Sequence, residues 1–320
     1  MAKRPEDLTM TTVRANGITL HYDSFGAIDA EAMVLIAGLG TQMIRWPVPF
    51  CEALAARGYR VIRFDNRDAG LSTHLSHCPA PDFAALAAAL ARGQRPDVPY
   101  TLHDMAADTI GLLDALAIPR AHLVGRSMGG MIAQLVTAGH APRVLSLTAM
   151  MSSTGNPALP SAAPEVMALL TRPAPDPVAD EAGFLAHHLG FARAIAGPGF
   201  PFDEDAQRAR IRAETARAWH PAGFGRQLAA TGATGDIRPR LAGISAPTLV
   251  VHGTDDRLFP PACGADIAAN VAGAELLLID GMGHDLPPGL YRQVSDAIAA
   301  LAARAGGEAS SGACRRDPVG

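Results

Sequence analysis

One serine in the chain lies in a pattern that is suited to nucleophilic catalysis. Residues 125–129 read Gly-Arg-Ser-Met-Gly, with Ser127 between a short apolar run and a segment of helical character. This G-x-S-x-G pattern is typical of a sharp strand-to-helix turn that exposes a hydroxyl at the edge of a sheet. Gly125 and Gly129 permit so tight a turn because they carry no side chain. A serine hydroxyl is a weak nucleophile at neutral pH, so this chemistry also requires a base beside Ser127.

Two later segments supply candidates for that base and for an acid behind it. Asp255 and Asp256 follow one apolar run, and His284 follows the next. Loops at the carboxyl ends of parallel strands gather at one edge of a sheet, so these side chains are expected to meet Ser127. Histidine suits proton transfer because its ordinary pKa lies near neutrality. The alternatives are structural: a glycine-rich turn at Ser127, an acid that braces a turn, and a histidine that caps the closing helix.

The elements that must position these residues alternate between strands and helices. Continuous apolar runs are typical of strands buried on both faces of a parallel sheet, and Asn16-Gly17 predicts a hairpin turn. Strands are predicted at 33–37, 59–64, 122–124, 144–151, 247–251 and 275–279, after a hairpin at 11–24. Helices are predicted near 49–57, 83–92, 101–116 and 290–304 and directly after Ser127.

The alternation stops between Ser152 and about Gly235, where prolines separate short helical stretches. An insertion of this length after the sixth strand predicts a helical lid over the site. The predicted organisation is therefore a core of residues 1–151 and 236–304, a lid of residues 152–235 and a disordered C-terminal tail of residues 305–320. Three histidines of the lid are interpreted as packing or surface residues, with one of them possible as a pocket residue: His187, His188 and His220.

Composition narrows the class of protein. A net charge of −4 with scattered Lys and Arg does not suggest a nucleic-acid partner. No apolar run approaches the roughly 18 residues of a membrane span, and no apolar segment follows the basic N-terminal residues as in a secretory signal. The four cysteines lack metal-site spacing, so we expect free thiols, no metal, no cofactor and a cytoplasmic location.

The segments VGRSMGG, HGTDDRLFP and GMGH together resemble the α/β-hydrolase superfamily. FDNRDAGLS and GMGHDLP resemble its aclacinomycin methylesterase-like and small carboxylesterase members, and the resemblance covers about residues 11–304. It implies an α/β-hydrolase fold: a mostly parallel sheet of about eight strands flanked by helices, with the lid inserted after the sixth strand. Within FDNRDAGLS we interpret Asp65, Arg67 and Asp68 as residues that brace the turn, because a hydrolytic triad needs only one acid.

The resemblance also implies roles for individual residues. Ser127 would be the nucleophile and His284 the base. Asp256 would be the acid, because it lies four residues after the histidine of the His252-Gly253 pair, and Asp255 is the fallback. Backbone N–H groups of Leu39 and Met128 would bind the developing oxyanion. One departure from the family pattern is Ala at position 37, before Gly38, where His is frequent.

The function implied is a serine carboxylic-ester hydrolase that acts through an acyl-enzyme on a small-molecule ester. The lid and loops show Ala, Leu, Phe and Met and no basic cluster, which predicts a mostly apolar pocket for uncharged, short-to-medium chain esters. Alternatives are lactone hydrolysis, C–C bond hydrolysis or perhydrolysis on the same triad, and a small-molecule receptor with slow turnover.

Overall fold

The computed structural model describes residues 11–311, and an eight-stranded sheet forms its centre. The strands are β1 (Thr11–Ala15), β2 (Ile18–Phe25), β3 (Glu31–Ile36), β4 (Tyr59–Phe64), β5 (Ala121–Arg126), β6 (Val144–Met150), β7 (Thr248–Gly253) and β8 (Glu275–Ile279). They lie in the order β1-β2-β4-β3-β5-β6-β7-β8. The β1–β2 and β2–β4 pairs are antiparallel and all other pairs are parallel. The mostly parallel eight-stranded sheet predicted from the sequence is confirmed.

Helices cover both faces of this sheet. They are α1 (Val48–Ala55), α2 (Phe83–Ala91), α3 (Leu102–Ala115), α4 (Met128–Gly139), α5 (Pro164–Thr171), α6 (Glu181–Ile195), α7 (Glu204–Arg217), α8 (Pro221–Thr234), α9 (Arg238–Leu241), α10 (Pro261–Asn270) and α11 (Tyr291–Ser311). Side chains of a strand alternate between the two faces, and β3 shows the consequence. Val34 and Ile36 pack in the cluster that includes α3 and α4, whereas Met33 and Leu35 pack in the cluster that includes α1 and α11.

Local sequence signals set two of the element boundaries. Asn16 and Gly17 have φ values of 47° and 80°, and this two-residue turn pairs Ala15 with Ile18 in the first hairpin. Both angles lie in the left-handed region that Asn and Gly tolerate best. At the start of α3 the backbone N–H of Thr101 donates to the Asp104 carboxylate at 2.7 Å, so Asp replaces Glu in a capping box. The hairpin turn and this cap are both confirmed.

The segment between β6 and β7 contains α5, α6, α7 and α8, followed by the short α9. Helix α8 packs against α3 and α2, so the inserted segment contacts the body of the molecule as well as its own helices. Two ion pairs reinforce this contact: Arg217 of α7 binds Asp65 at 2.7 Å, and Arg226 of α8 binds Asp68 at 2.7 Å. These interactions fix α7 and α8 above the carboxyl ends of the strands.

The closing helix is longer than predicted. Helix α11 continues to Ser311, so residues 305–311, which were assigned to a disordered tail, are helical, and residues 312–320 of that tail lie outside the described part of the chain. Extending an existing helix adds one hydrogen bond per ordered residue and avoids the cost of nucleation, which a composition argument overlooks. Within residues 11–311 no helix combines the length and apolar character needed to cross a membrane.

Candidate active site

Ser127 occupies the turn between β5 and α4. Its backbone has φ 55° and ψ −124°, a conformation that is strained for a residue with a side chain. The surrounding glycines make the turn possible: a Cβ at Gly125 would lie 2.1 Å from the Gly129 carbonyl oxygen, and one at Gly129 would lie 2.2 Å from the Ile36 carbonyl oxygen. The serine N–H donates to the Met150 carbonyl at 2.9 Å, which fixes the turn to the neighbouring strand.

His284 reaches this turn from the loop after β8. Its Nε2 lies 3.0 Å from Ser127 Oγ, and its Nδ1 lies 2.7 Å from Asp256 Oδ2. The imidazole is buried, and its backbone N–H donates to the Ile195 carbonyl at the end of α6 at 2.7 Å. With a neutral ring, this network places the proton on Nδ1 and leaves Nε2 to accept from the serine hydroxyl.

Asp256 lies behind the imidazole in the loop after β7. Its Oδ1 accepts hydrogen bonds from the backbone N–H groups of Leu258 and Phe259 at 2.9 Å and 2.8 Å, so Oδ2 alone faces His284. The carboxylate of Asp255 instead accepts from the Thr254 hydroxyl at 2.7 Å. The structure therefore brings Asp256, and not the fallback Asp255, to the histidine.

A second histidine, His252, lies beside Asp256. Burial lowers the pKa of His252, and its Nε2 lies 2.7 Å from the Phe259 carbonyl oxygen. A neutral ring in this position donates to that carbonyl and does not compete as a cation for the Asp256 carboxylate. His252 Nε2 lies 3.5 Å from Asp256 Oδ2, farther than His284 Nδ1 at 2.7 Å.

The two predicted oxyanion donors belong to segments that adjoin Ser127. Met128 is the first residue of α4, and Leu39 lies in the loop after β3, where a Cβ on Gly38 would approach Ser127 Cβ to 3.2 Å. This loop is held by the Gly40 N–H, which donates to Gln227 Oε1 of α8 at 2.7 Å. Among the described residues neither the Leu39 nor the Met128 N–H has a hydrogen-bond partner, so both remain available to a ligand.

The charged turn after β4 is structural, as predicted. Asp65 is fully buried and accepts from the backbone N–H groups of Met43 and Leu71 at 2.7 Å and 2.9 Å. The Arg67 guanidinium donates two hydrogen bonds to the Asp108 carboxylate, with donor–acceptor distances of 2.6 Å each. Asp68 is paired with Arg226 of α8, so the turn also anchors the inserted helices, which the sequence did not predict.

A second chain of serine, histidine and carboxylate lies near the opposite edge of the sheet. Ser146 Oγ is 2.8 Å from His122 Nδ1, and His122 Nε2 is 3.0 Å from Glu31 Oε2. Ser146 is 2% exposed and faces His122 as a cross-strand neighbour, next to a register shift between Ala121 and His122. An adjacent cavity of about 520 Å³ is lined by Glu31 but not by Ser146. Without a strained turn or an accessible hydroxyl, this set is a structural hydrogen-bond chain that runs from the buried Ser146 to the exposed Glu31.

Three arginines gather beside the turn that carries Ser127, which the sequence did not predict. Arg126 directly precedes Ser127, and its Nη1 donates to the Arg45 carbonyl at 3.3 Å. The Arg45 side chain and Arg210 of α7 both bind Glu214, with 3.4 Å between Arg210 Nη1 and Glu214 Oε1. Burial lowers the pKa of the neighbouring His188 to about 4, so its ring is neutral at pH 7. The three arginines come from distant segments of the chain, so no local run of basic residues predicts that they lie together.

Within the described residues, no group of three or more His, Cys, Asp or Glu side chains is arranged to hold a metal ion. Cys51, Cys78 and Cys263 are free thiols, and Cys314 lies outside the described part of the chain.

Comparisons with known proteins agree with this fold. Residues 31–287 match the family model described as the alpha/beta hydrolase fold. The chain is 29% identical over 313 residues to rhodomycin D methylesterase DauP of Streptomyces sp. (strain C5), covering 88% of this chain and 94% of that protein. It is 32% identical over 269 residues to the putative carbamate hydrolase RutD of Variovorax paradoxus (strain S110), covering 83% and 89%.

A solved structure supports the same assignment. The enol-lactonase from Burkholderia xenovorans LB400 superposes with a TM-score of 0.66 at 25% identity, covering 92% of this chain and 99% of that one. The family match, the relatives and the eight-stranded sheet all indicate the same fold. The chain belongs to the alpha/beta hydrolase fold family and is a hydrolase.

Proposed function

We propose that the protein is a serine carboxylic-ester hydrolase that acts through an acyl-enzyme on short-to-medium chain esters. The observation that carries this proposal is the continuous chain from Ser127 Oγ through the imidazole of His284 to Asp256, with distances of 3.0 Å and 2.7 Å. This is the geometry in which a neutral imidazole activates a hydroxyl and a carboxylate fixes its tautomer.

In the first half of the reaction, Ser127 Oγ attacks the ester carbonyl carbon as its proton moves to His284 Nε2. The carbonyl oxygen becomes an oxyanion, which accepts hydrogen bonds from the free N–H groups of Leu39 and Met128. Asp256 stabilises the imidazolium through Nδ1–H. The bond to the leaving alcohol then breaks, and the proton on Nε2 passes to the departing alkoxide, which leaves an ester of Ser127.

In the second half, water replaces the alcohol. His284 Nε2 takes a proton from the water as its oxygen attacks the acyl carbon, and the same two N–H groups bind the second oxyanion. The bond to Ser127 Oγ breaks, the proton returns from Nε2 to the serine, and the carboxylic acid is released. Each proton that the imidazole accepts is therefore returned within the same half-reaction.

The segment of residues 152–235 is proposed as a lid that shapes the substrate site. Two of its contacts support this role: Gln227 holds the loop that carries Leu39, and the Ile195 carbonyl accepts from the His284 N–H. Movement of these helices would alter the positions of an oxyanion donor and of the base together. The lid therefore couples substrate entry to the arrangement of the reacting groups.

The names of the relatives keep other reactions in consideration, because they include a carbamate hydrolase and an enol-lactonase beside a methylesterase. Lactone hydrolysis, C–C bond hydrolysis and perhydrolysis would use the same nucleophile, whereas a slow receptor would lack turnover. An ester is favoured because, of the two sequence relatives, the methylesterase covers 88% of this chain and the carbamate hydrolase 83%.

The test is labelling with a fluorophosphonate combined with turnover of p-nitrophenyl esters of increasing chain length. We expect one label per chain on Ser127, multiple turnovers for short and medium chains, and loss of roughly 10⁴-fold or more in kcat for Ser127→Ala. Ser146→Ala is the matched control and is expected to keep both labelling and turnover. Label on another residue, or esterase activity that survives Ser127→Ala, would show that the proposal is wrong.

A further inference from the structure

The Arg126 side chain is a cation beside the nucleophile that lacks a counter-ion. Its guanidinium donates to the Arg45 carbonyl at 3.3 Å and lies 5.8 Å from the centroid of the Trp46 ring. It forms no ion pair with any carboxylate in the described part of the chain. Burial, followed by the neighbouring Arg45, lowers the pKa of Arg126 to about 10, so the group stays protonated at neutral pH.

Arg126 is also positioned to meet a ligand. Although its surroundings desolvate it strongly, the residue keeps part of its surface accessible, as Ser127 does. A residue that is desolvated and yet keeps part of its surface accessible can be reached by a small ligand. Because Arg126 directly precedes Ser127 in the chain, its guanidinium lies within one extended side-chain length of the Ser127 backbone.

The neighbouring charges do not neutralise this cation. Arg45 and Arg210 share the single carboxylate of Glu214. Burial, followed by the Arg45 charge, lowers the pKa of Arg210 to about 9. The remaining carboxylate, Asp285, has its pKa raised by burial and accepts only from the Gly197 N–H, at 3.4 Å. Three arginines thus face two carboxylates, and the excess is one positive charge.

An uncompensated buried cation destabilises a protein unless an anion completes the site. A guanidinium offers a planar pair of donors that matches a carboxylate, and Arg126 uses only one of its donors, on a carbonyl oxygen. We propose that Arg126, supported by Arg45 and Arg210, binds a free carboxylate on the substrate, so that the preferred substrates are esters of acidic molecules such as dicarboxylic acid monoesters. This inference rests on the proposed ester hydrolysis and replaces the expectation of uncharged substrates.

The test compares matched esters that differ in one charged group, using wild-type enzyme and a pH-stat. One pair carries the charge on the acyl side, monomethyl glutarate against methyl pentanoate. The other carries it on the alcohol side, acetoxyacetate against ethyl acetate. We expect kcat/KM to favour the anionic member of one pair by about tenfold or more, as for hydrogen bonds to charged groups. A neutral preference in both pairs would overturn the proposal and would leave the ester hydrolase itself intact.

Arg126 variants then assign the preference to this residue. Arg126→Gln is expected to bring the ratio of the two kcat/KM values close to one, and Arg126→Lys to retain part of it, because the charge remains but the paired donors are lost. Arg292→Gln, on the exposed face of α11, is the matched control and should leave the ratio unchanged. A ratio that Arg126→Gln does not change would contradict the assignment.

Binding to the wild-type enzyme keeps the assignment testable even if the variants do not fold. Glutarate is expected to inhibit hydrolysis of a neutral ester competitively and more strongly than glutaramide, which has the same carbon skeleton without charge. Equal inhibition by the two compounds would oppose a carboxylate site. If neither labelling of Ser127 nor turnover of any ester is detected, the failure lies with the proposed function rather than with this inference.

Discussion

Replacing Asp256 with asparagine is expected to abolish most activity by reversing the tautomer of His284. Two backbone N–H groups donate to Oδ1, from Leu258 and Phe259, so the amide oxygen of the new side chain must occupy that position. The amide NH₂ then takes the place of Oδ2, 2.7 Å from His284 Nδ1. Since an NH₂ group only donates, the imidazole must accept on Nδ1 and carry its proton on Nε2. A protonated Nε2 in a neutral ring cannot accept the proton of Ser127.

The expected loss in kcat is about 10⁴-fold, as for a serine hydrolase in which the same change imposes the wrong tautomer. This corresponds to about 5 kcal/mol of transition-state stabilisation. The assay is steady-state hydrolysis of a p-nitrophenyl ester at pH 8, with circular dichroism to establish that the variant is folded.

Asp255→Asn is the matched control, because the Asp255 carboxylate accepts from Thr254 and not from His284. We expect its kcat to remain within about threefold of wild type, in line with a substitution outside the reacting groups. A folded Asp256→Asn enzyme that keeps more than about a tenth of wild-type kcat would refute the tautomer argument. Equal losses in the two variants would refute the choice of acid.

Other perturbations test the framework around the site. Gly125→Ala places a Cβ 2.1 Å from the Gly129 carbonyl oxygen and is expected to lower Tm and activity together, whereas Gly139→Ala, with nothing within 4 Å, should leave both unchanged or raise Tm slightly. Asp68→Asn should cost about 3–5 kcal/mol in urea unfolding because it leaves Arg226 buried without a counter-ion. Desolvation raises the pKa of Asp68, but hydrogen bonds from Arg226, the Leu75 N–H and Tyr100 outweigh it and hold the pKa below its usual value. A depressed pKa contributes stability above the unfolded-state value, near pH 4, and loses it as the pH falls through the folded-state pKa. The Tm difference between wild type and Asp68→Asn should therefore be constant from pH 5 to pH 7 and shrink below about pH 4; a difference that grows on acidification would contradict this interpretation.

Local patterns in the sequence predicted the sheet and the three residues that meet in the site. The run at β3 and the G-x-S-x-G turn at Ser127 are short-range signals, because burial and a tight turn constrain adjacent residues directly. The placement of His284 followed from the rule that the carboxyl ends of parallel strands share one edge. The choice of Asp256 over Asp255 came from the family resemblance, and the Oδ1 contacts with Leu258 and Phe259 now give it a physical reason.

The gathering of arginines beside the Ser127 turn depends on long-range packing and was not predicted from the sequence. Arg45 and Arg126 are 81 positions apart, and Arg210 approaches them only because α7 folds over the strands. A composition argument treats each arginine as solvated, since surface positions are the common location for this residue type. The links from Asp65 to Arg217 and from Asp68 to Arg226 were missed for the same reason, although the structural role of the turn was predicted.

The central claim is that Ser127 becomes acylated and that water reaches this acyl group through His284. The most direct measurement is rapid-quench mass spectrometry of the enzyme during turnover of p-nitrophenyl butanoate, followed by peptide mapping. We predict one butanoyl group per chain, located on the peptide that contains Ser127, and its disappearance as butanoate is released. Turnover at the wild-type rate with no acylated intermediate on Ser127, or with the acyl group on another residue, would contradict the mechanism.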